Sequence, residues 1–407
     1  MIDVIIVGGG ASGIVASIFA KRDNNRVVVL ERNSKCLKKL LMTGNGKCNY
    51  FNEVYSLNNY HSEDMDIVDK IISDNNINSA KEFFDSIGIV PKIKNGCYYP
   101  FSNQASTIRN ALLLEANNRG VEIVCDSLVT DIKKINNSFI VNCNNKEYIC
   151  SNLVLASGSY AFPKTGSDGM GYSFLEEFNH TIIKPLPALV QLVSNGNYLK
   201  EWDGVRSDVR VELFEDEKYI DYQEGEIQLT NYGISGICIF NLSHYVTRGL
   251  NDNKKEVIKI NFVPFIETLI TPWMDNYSKN NSNKKLGELL EGFLNYKLVK
   301  VILKVSNLSS DVYYNDLDNE EKLRLCKNLR SFPVEVVSTK SFDSCQVCNG
   351  GVKLSEVNPK TFESMLVSNL FITGELLNIN GNCGGYNLTV CWISGMLVGK
   401  YIGGLYD

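Results

Sequence analysis

Histidine is scarce in this chain: His61, His180 and His244 are the only three in 407 residues, each in an unrelated context. Chemistry built on clustered imidazoles is therefore not expected, and each histidine reads as a surface or capping residue. Charge of one sign is not in excess either. Lys and Arg number 41 against 46 Asp and Glu, a net charge of −5, and the pI is near 5.5, so no nucleic acid or other polyanion is expected as a partner. No apolar run approaches the length needed to span a bilayer. The apolar start, Ile2 to Val7, runs straight into glycines with no basic region before it and no cleavage site after it. A membrane partner is not expected, and the cytoplasm is the default compartment. Internal repeats are absent.

What is present is a chain long enough for two or three domains, each with its own core. Its twelve cysteines are scattered among strands and loops and read as reduced thiols, not a disulfide framework. The segment Asp3 to Glu31 reads strand, glycine turn, helix, strand. Val4 to Val7 is a continuous apolar run, as expected of a central parallel strand covered on both faces, and Val27 to Leu30 repeats it. Ala105 to Arg119 has helical spacing, Val121 to Val124 follows as a strand, and Asn152 to Ala156 is another buried-type run. Strands alternating with helices imply an open α/β sheet.

After Pro185 and Pro187 the pattern changes. Residues 189–263 read as short alternating strands with no helix of comparable length, a β-rich insert. Residues 264–335 read as helical, with Leu286, Leu289, Leu290, Phe293 and Leu294 on one face and a flexible loop over 276–285. Residues 336–407 return to the first domain, 1–188, through the strand Leu370 to Thr373 and the apolar Val390 to Val398.

Gly8-Gly9-Gly10-Ala11-Ser12-Gly13 satisfies G-x-G-x-x-G. Spacing alone is weak support, since glycine turns are common, but here the turn follows a strand, opens a helix and precedes Glu31 at the end of the next strand. Gly8 permits the tight turn, Gly10 lets the backbone approach a pyrophosphate, and Gly13 lets helix and sheet pack closely. The helix N-terminus faces the anion, with Ala11 and Ser12 in its first turn. Glu31, with Arg32 beside it, can accept hydrogen bonds from both hydroxyls of a ribose.

Two distant segments favour FAD over a nicotinamide. Leu153 to Gly158, ending Ala156-Ser157-Gly158, looks like the strand-to-glycine motif of two-dinucleotide flavoproteins. Leu370 to Glu375 looks like their closing strand, where Gly374-Glu375 lies by the flavin's ribityl chain. A second G-x-G-x-x-G after a strand is absent, so NAD(P)H is expected only as a transient electron donor.

Lys39-Leu40-Leu41-Met42-Thr43-Gly44-Asn45-Gly46-Lys47-Cys48-Asn49 is a glycine-relaxed loop with two cations, suited to an anion such as a pyrophosphate or a reduced flavin; the bland alternative is a surface loop. This string resembles the BaiN-like, aminoacetone-oxidase-type family of FAD-dependent oxidoreductases. Tyr99 to Ala105, Gly225 to Gly236, Gly350-Gly351-Val352 and Gly374 to Leu388 agree, so the resemblance spans the chain. It implies a Rossmann-type FAD-binding domain of the two-dinucleotide class, interrupted by a β-barrel-like domain and a small helical domain. It also implies FAD contacts from Ser12, Glu31, the Thr43 to Asn49 loop, Glu375, Gly385, Asn387 and Leu388, with Val129 holding the adenine through its backbone. Lys47 stands where the family usually has arginine, Asn231 where histidine is frequent, Cys348 where threonine is, and Asn378 where aspartate is. The flavin contacts are kept; several polar residues near the family's substrate are not.

The expected activity is FAD-dependent reduction of an activated C=C bond in an apolar, steroid-like enone, with the substrate between the FAD domain and the insert. Alternatives are amine oxidation with dioxygen, a non-catalytic flavin sensor, and a flavin–disulfide enzyme using Cys345 and Cys348. For that C-x-x-C pair chance spacing is the favoured reading, because no cation or histidine flanks it in sequence to lower a thiol pKa. A zinc site lacks its second pair. Proton donors are sought among Tyr386 and Tyr232, with Tyr98 and Tyr99 nearby, although each is more often a packing aromatic.

Overall fold

The structure, a computed structural model, describes residues 2–266 and 270–405. Two compact units emerge: residues 2–186 with 345–405, and residues 187–344.

In the first unit, β1 (Ile2–Val7), α1 (Ala11–Ala20) and β2 (Val27–Leu30) form the opening βαβ. β1 is central and parallel to both neighbours, pairing Ile5 with Val28 on one side and Leu153 on the other. The sheet has seven strands. Glu122–Val124 lies outside β2, and Lys146–Leu155 lies beside β1. That long strand divides its partners: Cys150 and residues before it pair antiparallel with Ser138–Cys143, while Leu153 to Leu155 pair parallel with Leu370–Ile372. The uninterrupted apolar runs follow from this position, since Val4, Ile5, Ile6, Val28 and Val29 are wholly buried. The last helix, Tyr386–Ile402, packs along α1. Small residues let the two backbones approach: a Cβ on Gly395 would lie 2.4 Å from the Ser12 carbonyl oxygen.

The second unit contains a closed barrel of six strands, in the order Leu192–Ser194, Gly233–Gly236, Lys218–Thr230, Arg206–Glu215, Glu256–Asn261 and Phe332–Thr339. Val209, Val211 and Leu213 alternate inward along one strand. The helical segment sits between two adjacent barrel strands, because Phe332–Thr339 closes the barrel against Glu256–Asn261.

Two sequence expectations are corrected. The β-rich stretch holds a 15-residue helix, Ile237–Asn251. Its opening Ile237-Cys238-Ile239-Phe240 is strand-like in composition, but Ile239, Leu242 and Val246 share one buried helical face. The loop expected at 276–285 begins only after Asn280, where the helix Ile270–Asn280 ends; Met274 and Ser278, one turn apart, anchor its inner side. Among the described residues no helix is long and apolar enough to cross a membrane.

Candidate functional site

The glycine turn divides its labour as the three positions require. Gly8 sits at φ +109°, and a Cβ there would lie 2.4 Å from the Ala156 carbonyl oxygen; Ala156 and Ser157 thus cross directly over the turn, and Gly158 follows at φ +80°. A Cβ on Gly13 would lie 2.0 Å from the Gly8 carbonyl oxygen, so α1 can seat on β1 only with glycine there. Gly10 is different. Its Cβ would meet nothing nearer than the Ala156 oxygen at 3.9 Å. α1 opens on Gly10 without a side-chain cap and without an acidic residue in its first turn. The first-turn N–H groups of Ala11, Ser12 and Gly13 have no acceptor within the helix, and the positive end of its dipole faces the same space. A pyrophosphate fits both the open volume and the donors.

Glu31 is buried at the end of β2. Its Oε2 accepts from the Gly9 N–H at 2.8 Å, and its Oε1 accepts from Asn33 N at 2.8 Å and Asn33 Nδ2 at 2.7 Å. A carboxylate offers about four acceptor positions. A ribose hydroxyl therefore has room on the Oε2 side, and a second must compete with the Asn33 amide. Neighbouring Arg32 pairs with Asp168. Val129, at the start of its strand, is buried and pairs with Cys143.

The Lys39–Asn49 loop is a short 3-10 turn broken at Thr43, with Gly44 and Asn45 at φ +55° and +53°, successive left-handed residues. Such backbone turns draw their N–H groups into anion-binding concavities. Leu40 and Cys48 are buried and anchor the ends, while Gly44, Asn45 and Gly46 are exposed. Burial pushes the Cys48 thiol up to about 12, so it serves packing. The Asn49 amide, in the orientation that satisfies both acceptors, donates to the Phe51 and Tyr98 carbonyl oxygens at 2.8 and 3.1 Å.

Only one of the loop's two cations faces solvent freely. Lys39 Nζ lies 2.6 Å from Glu375 Oε2. Ser159 donates to the same oxygen at 2.9 Å, and the Tyr172 hydroxyl donates to the Glu375 carbonyl at 3.2 Å. Gly374, at φ +66°, abuts Ser12, whose hydroxyl a Cβ would meet at 2.5 Å. Thr373 Oγ1 donates to that same hydroxyl at 3.1 Å. Glu375 is thus fixed beside the first turn of α1.

Cys345 and Cys348, buried nearby, shift one another, Cys345 upward and Cys348 downward, the latter against burial and the Glu375 charge. The sequence pointed to Lys39 and Glu375 separately; Ser159 and Tyr172, which hold Glu375, carry no motif that would single them out.

Other predicted residues hold structural positions. Gly385, at φ +95°, opens the last helix, and a Cβ there would strike the Phe51 backbone. Asn387 exchanges two hydrogen bonds with Gly381, at 2.8 and 2.7 Å, pinning the preceding loop, and Leu388 is half-buried. Tyr386 is buried between Tyr55 and Tyr60 in edge-on contacts, and burial raises its phenol. Tyr232 belongs to the second unit, with Lys340 Nζ 3.9 Å from its ring centre. Two histidines are not the surface groups expected. His180 is buried between Glu356 at 3.2 Å and Ser364 at 2.8 Å; His244 is buried against Tyr245. Both rings are paired within the core, which composition alone does not disclose.

The profile of the HI0933-like protein Rossmann domain matches residues 2–401. The chain belongs to this family. It is 34% identical over 401 residues to the 3-dehydro-bile acid delta(4,6)-reductase of Clostridium scindens, covering 97% of each chain. It is 24% identical to the ribosomal RNA dihydrouridine synthase of Escherichia coli, covering 96% of each. Among solved structures, the 3-ketosteroid-delta4-(5alpha)-dehydrogenase of Rhodococcus jostii shares the fold with a TM-score of 0.50 at 14% identity, over 100% of this chain and 97% of that one. This member of the family is an FAD-dependent oxidoreductase with a Rossmann-type fold.

Proposed function

We propose that this chain reduces a carbon–carbon double bond conjugated to a ketone in an apolar, steroid-like substrate, with NAD(P)H as electron donor. The observation that carries this reading is the 34% identity, end to end, with a reductase named for the delta(4,6) bonds of a 3-dehydro-bile acid. The site is compatible with it. FAD, when bound, supplies two-electron hydride chemistry. The first turn of α1 and Gly10 hold its pyrophosphate, Glu31 its adenosine ribose, and Glu375, braced by Lys39 and Ser159, its ribityl chain. The Thr43–Asn49 loop, with its successive left-handed residues, would turn backbone N–H groups toward an anionic part of the cofactor.

The ribosomal RNA dihydrouridine synthases favour a second reading, since dihydrouridine also arises by saturating a double bond next to a carbonyl. The net charge of −5 argues for the small molecule. The test is anaerobic stopped-flow: enzyme reduced by NADH or NADPH is mixed with a 3-oxo-4,6-diene steroid, with dioxygen, or with unmodified ribosomal RNA. Flavin reoxidation by the steroid, with a product two hydrogens heavier, is expected. Reoxidation by dioxygen alone would make the chain an oxidase, and dihydrouridine formation would make RNA the substrate.

A further inference from the structure

Residues 158–169 lie between the strand Lys146–Leu155 and the helix Met170–Glu177, and they are built as one stiff body. The Ser167 hydroxyl donates to the Ser159 carbonyl oxygen at 2.7 Å and joins the two ends. Inside, Phe162 is left-handed at φ +59° directly before Pro163. Its carbonyl accepts from the Thr165 N–H at 3.0 Å and from the Thr165 hydroxyl at 2.8 Å. A bulky residue keeps that conformation only where its surroundings over-determine it. Gly158 at φ +80° and Gly169 at φ +76° flank the body; a Cβ on them would strike the Ser167 hydroxyl at 2.5 Å and the Tyr160 ring at 2.3 Å. A compact loop with joined ends moves as a unit, and such loops serve as covers over ligand sites.

The loop is fastened to both acidic residues that the FAD reading assigns to the cofactor. Ser159, at its root, donates to Glu375 Oε2 at 2.9 Å. On the other side, Asn33 Nδ2 divides its two hydrogens between the Thr165 carbonyl at 3.0 Å and Glu31 Oε1 at 2.7 Å. Arg32 adds an ion pair with Asp168 and a longer contact, 3.4 Å, to the Gly166 carbonyl. We infer that residues 158–169 are a clasp that closes over bound FAD and is latched by Asn33, Arg32 and Asp168; the inference rests on the FAD reading of the site. Asn33 is a positioning residue, because one amide group binds both the ribose acceptor Glu31 and the latch. FAD then leaves only after the latch parts, more slowly than its pyrophosphate and ribose contacts alone would dictate.

The two fastenings are unequal. Ser159 is wholly buried, whereas the Arg32 and Asp168 side chains are 34% and 37% exposed. An ion pair at that exposure adds little to fold stability, so the latch can part while the root stays in place. Lys164 stands exposed on the loop, and its bond to Thr165 is open to trypsin by sequence. In the closed clasp, however, Thr165 is held at its N–H by Phe162 and at its carbonyl by Asn33. A protease needs that backbone released, so cleavage after Lys164 reports the open population.

The experiment pairs FAD release with limited trypsin digestion of the wild type, Asn33→Ala and Asp168→Asn. Flavin fluorescence after dilution of FAD-loaded protein gives the release rate, and peptide mass mapping gives cleavage after Lys164. We expect FAD to slow that cleavage roughly tenfold or more in the wild type. Release should be about tenfold faster in Asp168→Asn and roughly 10- to 100-fold faster in Asn33→Ala, with association no slower. Glu122→Gln, which breaks the exposed Arg26–Glu122 pair elsewhere on the same unit, should release FAD at the wild-type rate. If Asn33 only competed with the ribose for Glu31, its removal would tighten FAD binding. Tighter binding in Asn33→Ala, wild-type release in Asp168→Asn, or cleavage after Lys164 that FAD does not slow would each overturn the clasp and leave the flavin reading intact. Should Asn33→Ala fail to fold, the half-exposed Asp168→Asn decides. A wild type that binds no FAD would sink the flavin reading and the clasp together.

Discussion

Three N–H groups point at the Glu31 carboxylate. This residue holds the glycine turn through Gly9 and the following loop through Asn33, so the protein's own N–H groups compensate its charge. Hydrogen bonds to a charged group contribute about 1.5–3 kcal/mol. Replacing Glu31 with alanine should weaken FAD binding roughly 10- to 100-fold, where each factor of ten is ~1.4 kcal/mol. Fluorescence titration of apoprotein with FAD measures this, and an unchanged affinity would place the ribose acceptor elsewhere.

Between elements, the two glycines of the turn make opposite predictions. A Cβ on Gly13 would collide at 2.0 Å with the Gly8 carbonyl oxygen, a backbone atom and not the end of a flexible side chain. Gly13→Ala should therefore lower apoprotein stability, by about 1–3 kcal/mol as for other overpacked positions. Gly10→Ala meets only a 3.9 Å contact, so apoprotein melting should stay unchanged while FAD affinity falls, because the methyl occupies the pyrophosphate's volume. Equal effects of the two variants on apoprotein melting would refute this division. The turn was readable because strand, turn and helix are contiguous and each glycine answers a local steric demand. The helix Ile237–Asn251 was not, because its first residues suit a strand equally well and only the barrel wall decides which face is buried.

At the scale of the molecule, the second unit carries its own stability lever. Glu256 is buried in the barrel, and its carboxyl is pushed up to about 8, chiefly by burial and then by the Glu215 carboxylate and Asp216, against Lys254. A carboxyl raised in the folded state binds more protons folded than unfolded between its ordinary value of 4.5 and about 8. Stability is then full below that window and is lost as pH rises through it, at ~1.4 kcal/mol per unit of displacement. The melting temperature of the wild type relative to Glu256→Gln should fall across this range, as followed by calorimetry in a pH series. A difference that stays flat would mean Glu256 is ionised throughout.

The sequence by itself determined the α/β class, the glycine turn with its acidic partner, and the return of the chain to its first sheet. Each of these depends on contiguous residues whose periodicity or backbone freedom can be satisfied in only one way. The tertiary structure alone decided that Phe332–Thr339 closes the barrel across the helical segment. It also decided that Lys39, Ser159, Tyr172 and Glu375 form one connected set. Those residues come from four separate stretches of chain, and hydrogen bonding and charge compensation act over a few ångströms of space regardless of the distance along the sequence.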